Sequence, residues 1–176
     1  IPFAYEALGS ISGDRIAVKK NGLWGFIDKS GAIVIGCAFN DVRAFSEGLA
    51  AVRKGNKWGY INEEGKLILS FNYNRCGDFR EGLSWVYSNS EAYFIDKAGE
   101  KAFDASFASA SDFDGGVARV KEGGKYGLID KFGNYVLILS NCHFTKRHTL
   151  RQRHWEDFHC YYHSPKRSFC NLEGAS

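Results

Sequence analysis

One period governs this chain. Valine recurs at Val18, Val52, Val86 and Val120, and isoleucine at Ile27, Ile61, Ile95 and Ile129, each 34 residues from the last. Gly31, Gly65, Gly99 and Gly133 keep the same step, as do Phe45, Phe79 and Phe113, and the Asx series Asp28, Asn62, Asp96 and Asp130. No insertion or deletion breaks the register. Self-similarity at a fixed spacing marks a repeat architecture, in which each unit is too small to bury its apolar faces alone.

Helical tetratricopeptide arrays share this period, but the local pattern opposes helices. In Ala50 to Asn62, AAVRKGNKWGYIN, short runs rich in Val, Tyr, Trp and Ile are broken by glycine every six or so residues. The pairs Asn21-Gly22, Gly55-Asn56, Asn89-Ser90 and Gly123-Gly124 occupy one repeat position between two strand-like runs. Residues that tolerate positive φ at both centres of a two-residue loop suit a tight hairpin. The second break reads D/N-x-x-G, in which an Asx side chain opens a type I turn and glycine closes it in the left-handed region. The pattern therefore predicts an all-β unit of three antiparallel strands, for example 49–54, 57–62 and 66–69.

Side chains alternate faces along a strand. In the middle strand Trp24/Trp58/Tyr126 and Phe26/Tyr60/Phe94/Leu128 point one way, and Ile27/Ile61/Ile95/Ile129 the other. Both faces are apolar, so each small sheet needs cover on both sides, which stacking in series supplies. The linking segment, with Phe39/Tyr73/Phe107 and Phe45/Phe79/Phe113, provides aromatic plugs between units. Gly25, Gly59 and Gly127, next to the large ring, allow a close approach by a neighbour. These features favour a stacked solenoid or superhelical array. A propeller-like arrangement is the alternative, with blades that usually hold four strands and about 40 or more residues.

These motifs resemble the bacterial WG repeat family, also called KWG repeats. The second copy, FSEGLAAVRKGNKWGYINEEGKLIL (45–69), is the nearest to the family pattern, followed by LWGFIDKSGAIVI (23–35) and KYGLIDKFGNYVL (125–137). The third copy departs: EAYFIDKAG keeps the Ile, Asp and Gly but places Ala92 and Tyr93 where Trp-Gly would stand. The resemblance implies a β-rich interaction repeat with no common catalytic activity and no catalytic residues to carry over. Ile1-Pro2-Phe3-Ala4-Tyr5 looks like the link that follows a preceding unit. With no methionine in the chain, this suggests a fragment or a processed product.

Charge divides the chain. Residues 1–137 hold 17 Lys+Arg and 17 Asp+Glu, whereas residues 138–176 hold six against three, together with all five histidines. The net +3 therefore lies in the tail and does not read as nucleic-acid affinity of the repeats. Two regions follow: a repeat array of about four units over 1–137, and a His/Cys/Arg-rich tail over 138–176. The tail, from Cys142-His143 to Cys170, lacks paired zinc-finger spacing, and its composition suits a poorly structured or non-native segment. The longest purely apolar run, 135–139, is too short to span a bilayer.

Candidate chemistry is sparse. With no histidine in the repeats, a Ser, Thr or Cys nucleophile would lack its usual base. Cys37 and Cys76 occupy different repeat positions and read as local core fillers. The Asx series offers one oxygen per turn, too few for a calcium site. Glu47 and Glu81 match in position, but Gly115 replaces them in the fourth copy, so no catalytic pair is indicated. Trp24, Trp58 and Tyr126, with Tyr60 and Tyr73, read first as inter-unit core and second as sugar-stacking rings. No phosphate loop is present, since Gly115-Gly116 and Gly123-Gly124 precede no helix. The expectation is a non-enzymatic binding scaffold without cofactor or metal. Its partner would be another protein or a cell-envelope polymer, not nucleic acid, and a glycan-binding module is the alternative.

Overall fold

The computed structural model describes residues 5–139, all of which lie in one compact unit. Among them there is no helix, and no sheet closes into a barrel. The tail reading for 138–176 falls outside the described residues, except that Ile138 and Leu139 extend the last strand.

Four antiparallel meanders follow one another. The first holds β1 (Ala7–Ser12), β2 (Arg15–Lys20), β3 (Leu23–Ile27) and β4 (Ile33–Phe39). The second holds β5 (Asp41–Ser46), β6 (Leu49–Lys54), β7 (Lys57–Asn62) and β8 (Leu67–Tyr73). The third has β9 (Arg75–Cys76), β10 (Ser84–Ser88) and β11 (Glu91–Ile95). The fourth has β12 (Ser109–Ala110), β13 (Val117–Glu122), β14 (Lys125–Asp130) and β15 (Tyr135–Leu139). Three of the sheets are four-stranded in sequential order. This corrects the expectation of three strands per unit, and with it one objection to a propeller-like arrangement. The extra strand is the segment expected to be a linker: β5 pairs with β6 through Val42↔Val52 and Phe45↔Ala50, with a register shift between them.

Turn chemistry accounts for the hairpins. Asn21-Gly22 and Gly123-Gly124 have positive φ at both centres, as do Asn89-Ser90. Gly55-Asn56 differs: only Gly55, at φ +60°, is left-handed, the pattern of a type II′ turn. At the opposite end Asp28 Oδ1 accepts from Ser30 N and Ala32 N, both at 2.9 Å, and Asp96 and Asp130 repeat the arrangement.

The tryptophan–glycine pair has a packing explanation. A Cβ at Gly25 would lie 2.5 Å from Ile35 O, and one at Gly59 would lie 2.6 Å from Leu69 O. Glycine lets the fourth strand bulge against the third. In the third repeat Tyr93 occupies this position, and the fourth strand is reduced to isolated bridges, Ile95↔Lys101 and Ala92↔Phe107.

The core lies between sheets. One face of the first sheet (Ala17, Phe26, Ile35) and the opposite face of the second (Ala50, Val52, Ile61) share one cluster with Phe45. Equivalent clusters form around Tyr60 with Phe79 and around Phe94 with Phe113. The plug ring meets its neighbour at the same distance each time: Phe26–Phe45 4.9 Å, Tyr60–Phe79 4.9 Å and Phe94–Phe113 5.0 Å. Full burial of such side chains contributes about 1.5–3 kcal/mol each, so neighbouring units stabilise one another.

Candidate rim for partner binding

In a meander the first and third turns share one end, and the second turn shares the other with the link to the next sheet. The first two links are the single residues Asn40 and Asn74, and the third ends in Ala108 after the Phe107 bridge. Asn40, Asn74 and Ala108 each donate their amide across to the Arg53, Tyr87 and Lys121 carbonyls at 2.8 Å. This holds the second-turn ends of successive sheets along one rim.

On that rim a cation faces an aromatic ring across β2/β3 and its equivalents. Lys19 pairs with Trp24, Arg53 with Trp58 and Lys121 with Tyr126. The charge sits over the ring at 5.9, 5.8 and 5.3 Å from its centroid, within the range of a cation–π contact. Trp24 and Trp58 are half-buried, packed on their inner side against the inter-sheet clusters. In the third sheet Ala92 stands where the ring would be, and Tyr87 lies opposite both Ala92 and Arg75.

Carboxylates on this rim are mostly engaged. Glu6 accepts from Gly22 N at 3.1 Å, Asp41 pairs with Arg53 at 3.5 Å, and Glu122 accepts from the Tyr135 hydroxyl. Burial, with Glu122 nearby, pushes that phenol up to about 12. By contrast Lys20, Lys54, Arg75 and Lys125 are exposed and make no ion pair or side-chain hydrogen bond among the described residues. A hollow of about 320 Å³ opens beside Tyr126, lined by Glu122, Lys125, Tyr135 and Ile138.

At the opposite rim the carboxylates serve the fold. Each Asx Oδ1 faces the amides of its own turn. Glu47 accepts from Gly82 N at 3.1 Å and pairs with Lys97 at 3.1 Å, while Glu81 accepts from Gly116 N at 2.9 Å. The two glutamates thus bind the next repeat's hairpin. Where the fourth copy has Gly115, that role is absent.

Other candidates separate by burial. Tyr60 and Tyr73 are 0% and 8% exposed, so they are core rings. The Tyr60 hydroxyl donates to Gly77 O at 3.0 Å and lies 2.8 Å from Ser84 Oγ. Cys76 sits in the same cluster, and burial pushes its thiol up to about 12. Protonated and enclosed, it is no nucleophile at neutral pH. Cys37 is half-buried, with its Sγ 3.9 Å from Val18 O.

Sequence reasoning missed one cluster. Arg43 Nε contacts Asp78 Oδ1 at 2.6 Å, and Arg43 Nη2 lies 4.0 Å from Asp112 Oδ2, while Asp78 N donates to Asp112 Oδ1 at 3.1 Å. Burial raises the Asp112 carboxyl above its usual value, reinforced by Asp78 and opposed by Arg43. The signal was present, since Asp78 and Asp112 are one period apart. It ties three successive repeats together.

A family described as WG containing repeat matches residues 1–24, 24–58, 58–90 and 94–126. No match to the sequence is found among curated proteins. Among solved structures the chain is similar to Kluyveromyces lactis Hsv2 (TM-score 0.53, 12% identity), covering 77% of this chain and 51% of that one. It is also similar to a form of that protein with loop 6CD replaced by a Gly-Ser linker (TM-score 0.55, 12% identity, 77% and 52%). The chain thus spans about half the length of these structures, which are β-propeller-like. No helix among the described residues is long and apolar enough to cross a membrane.

Proposed function

The chain belongs to the WG-containing repeat family, and we propose that it is a non-enzymatic scaffold whose propeller-like sheets present the second-turn rim to a protein partner. The observation that carries this reading is the recurrence of the cation–ring pair on three of four sheets, at 5.9, 5.8 and 5.3 Å. A surface repeated by the architecture itself suits extended recognition. The described residues contain no histidine, and the buried thiol of Cys76 is held protonated, which supports a binding rather than a catalytic role.

A glycan-binding reading has the three part-exposed rings in its favour. Against it, Trp24 and Trp58 have core on one side and their own cation on the other, which leaves no bare face for a sugar. The test is co-sedimentation of the full chain with purified cell-wall polymer, run beside affinity capture from a lysate. A protein that is captured, identified and binds reciprocally in purified form, with no saturable pelleting, supports the scaffold. Saturable pelleting with no such protein overturns it in favour of glycan binding.

A further inference from the structure

The charges on the two rims are used differently. Opposite the second-turn rim, carboxylates cap turns and join repeats, and Lys29 and Lys97 are paired with Asp14 and Glu47. Lys66, Arg80 and Lys131, which make no ion pair among the described residues, stand there among the exposed acids Glu63, Glu64, Glu100 and Asp114. On the second-turn rim the unpaired charge is mostly positive, although among its carboxylates the exposed Glu91 has no ion pair or side-chain hydrogen bond among the described residues. Glu6, Asp41 and Glu122 are engaged internally, whereas Lys20, Lys54, Arg75 and Lys125 have no partner among the described residues. One such cation lies on each sheet. Lys20 and Lys54 share a repeat position, Lys125 borders the same turn in the fourth sheet, and Arg75 serves the third from its first strand. Local pairing therefore does not account for this row of positive charge.

We infer that this rim docks an acidic, extended polypeptide segment. The inference rests on the scaffold reading and names the partner's chemistry. Face-packed sheets lie ~10 Å apart. A segment in the extended polyproline II conformation rises ~3.1 Å per residue with about three residues per turn, so carboxylates at every third residue share one face and match successive sheets. Charge complementarity of this kind sets register and speeds encounter. Tight binding of a single-stranded nucleic acid combines phosphate contacts with bases stacked on bare aromatic faces. Here the tryptophan faces are occupied by core and by Lys19 or Arg53. The part-exposed ring edges between the cations instead offer apolar contact to side chains between the acids.

The experiment measures binding of the full chain to a labelled peptide of four Glu-Ser-Thr units, beside a peptide of the same composition with its glutamates clustered. A first variant combines Lys20→Glu, Lys54→Glu and Lys125→Glu. A second reverses the opposite rim through Lys66→Glu, Arg80→Glu and Lys131→Glu, with the same change in net charge. All six positions are exposed, and a Lys20→Gln, Lys54→Gln, Lys125→Gln variant guards against misfolding from clustered acid. The spaced peptide is expected to bind more tightly than the clustered one. The first variant is expected to weaken it at least tenfold, the glutamine variant by an intermediate factor, and the second less than twofold. Equal weakening by both reversals, no preference for the spaced peptide, or equal competition by an oligo-dT strand would overturn the inference. If the first variant still holds the partner identified by capture, the scaffold reading survives and this inference fails. If the unaltered chain holds neither peptide nor partner, both fail.

Discussion

The Tyr60 ring meets Phe79 of the next repeat edge-on, with centroids 4.9 Å apart and both side chains fully buried. Its hydroxyl reaches past that ring to Gly77 O and Ser84 Oγ. One side chain thus ties the second sheet to the third through an apolar and a polar contact.

Truncating this joint will show its weight. Phe79→Ala is expected to cost about 3–5 kcal/mol, as for other buried aromatic truncations. Tyr60→Phe, which leaves the buried Ser84 hydroxyl without that partner, should cost about 1–3 kcal/mol. Denaturant unfolding of both variants checks the ranking, and a smaller loss for Phe79→Ala than for Tyr60→Phe would contradict it.

The glycine of the signature can be tested in both directions. Gly59→Ala drives a Cβ to within 2.6 Å of Leu69 O, so β8 must move, at a cost of about 1–3 kcal/mol. Tyr93→Gly removes the obstruction in the third repeat. Amides in 101–107 should then exchange more slowly, as that segment gains a fourth-strand ladder. Unchanged exchange would separate the broken strand from Tyr93.

Trp58→Ala probes the rim's ring. Because Trp58 is half-buried, its loss is expected near the lower end of the ~3–5 kcal/mol seen for full truncations. Arg53→Gln removes the cation–π contact and should cost only about 0.5–1 kcal/mol. If Trp58→Ala leaves the melting temperature unchanged but abolishes partner binding, the ring is a ligand contact rather than part of the joint.

Acid sensitivity has opposed contributors, among them Glu47 and Asp112. Partial burial alone would raise the Glu47 carboxyl, but Lys97 and the Gly82 amide outweigh it and hold the group below its usual value of 4.5. Its stabilisation is therefore present above pH 4.5 and is lost as pH falls through the lower folded value. Asp112 is displaced upward from 3.8 by burial and Asp78, so its contribution is fullest at low pH and fades as pH rises past 3.8 toward the folded value. Glu47→Gln should flatten the acid loss of stability, and Asp112→Asn should steepen it. Melting temperatures from pH 3 to 7 check the two signs, and shifts in the same direction would refute the assignment.

The sequence by itself determined the repeat, its length and its β character. It did so because turn residues are chosen by local φ/ψ, and Asn21-Gly22 and the Asx series carry that preference in their own chemistry. It also disclosed that both faces of each sheet are apolar, since Val18 and Phe26 alternate on neighbouring strands with apolar equivalents in every copy. The third copy's Tyr93 was visible as a departure, although not as a broken strand. Only the tertiary structure decided that 41–46 is a strand, because the register shift between Val42 and Phe45 interrupts the alternation that would reveal it. Only the fold, likewise, brought Arg43 to Asp78 and Glu47 to Gly82. These contacts span one period and a residue, and their energy depends on how far one sheet turns onto the next. Exposure on the rim was the last thing decided, because a half-buried tryptophan and a buried tyrosine look alike until the following sheet is in place.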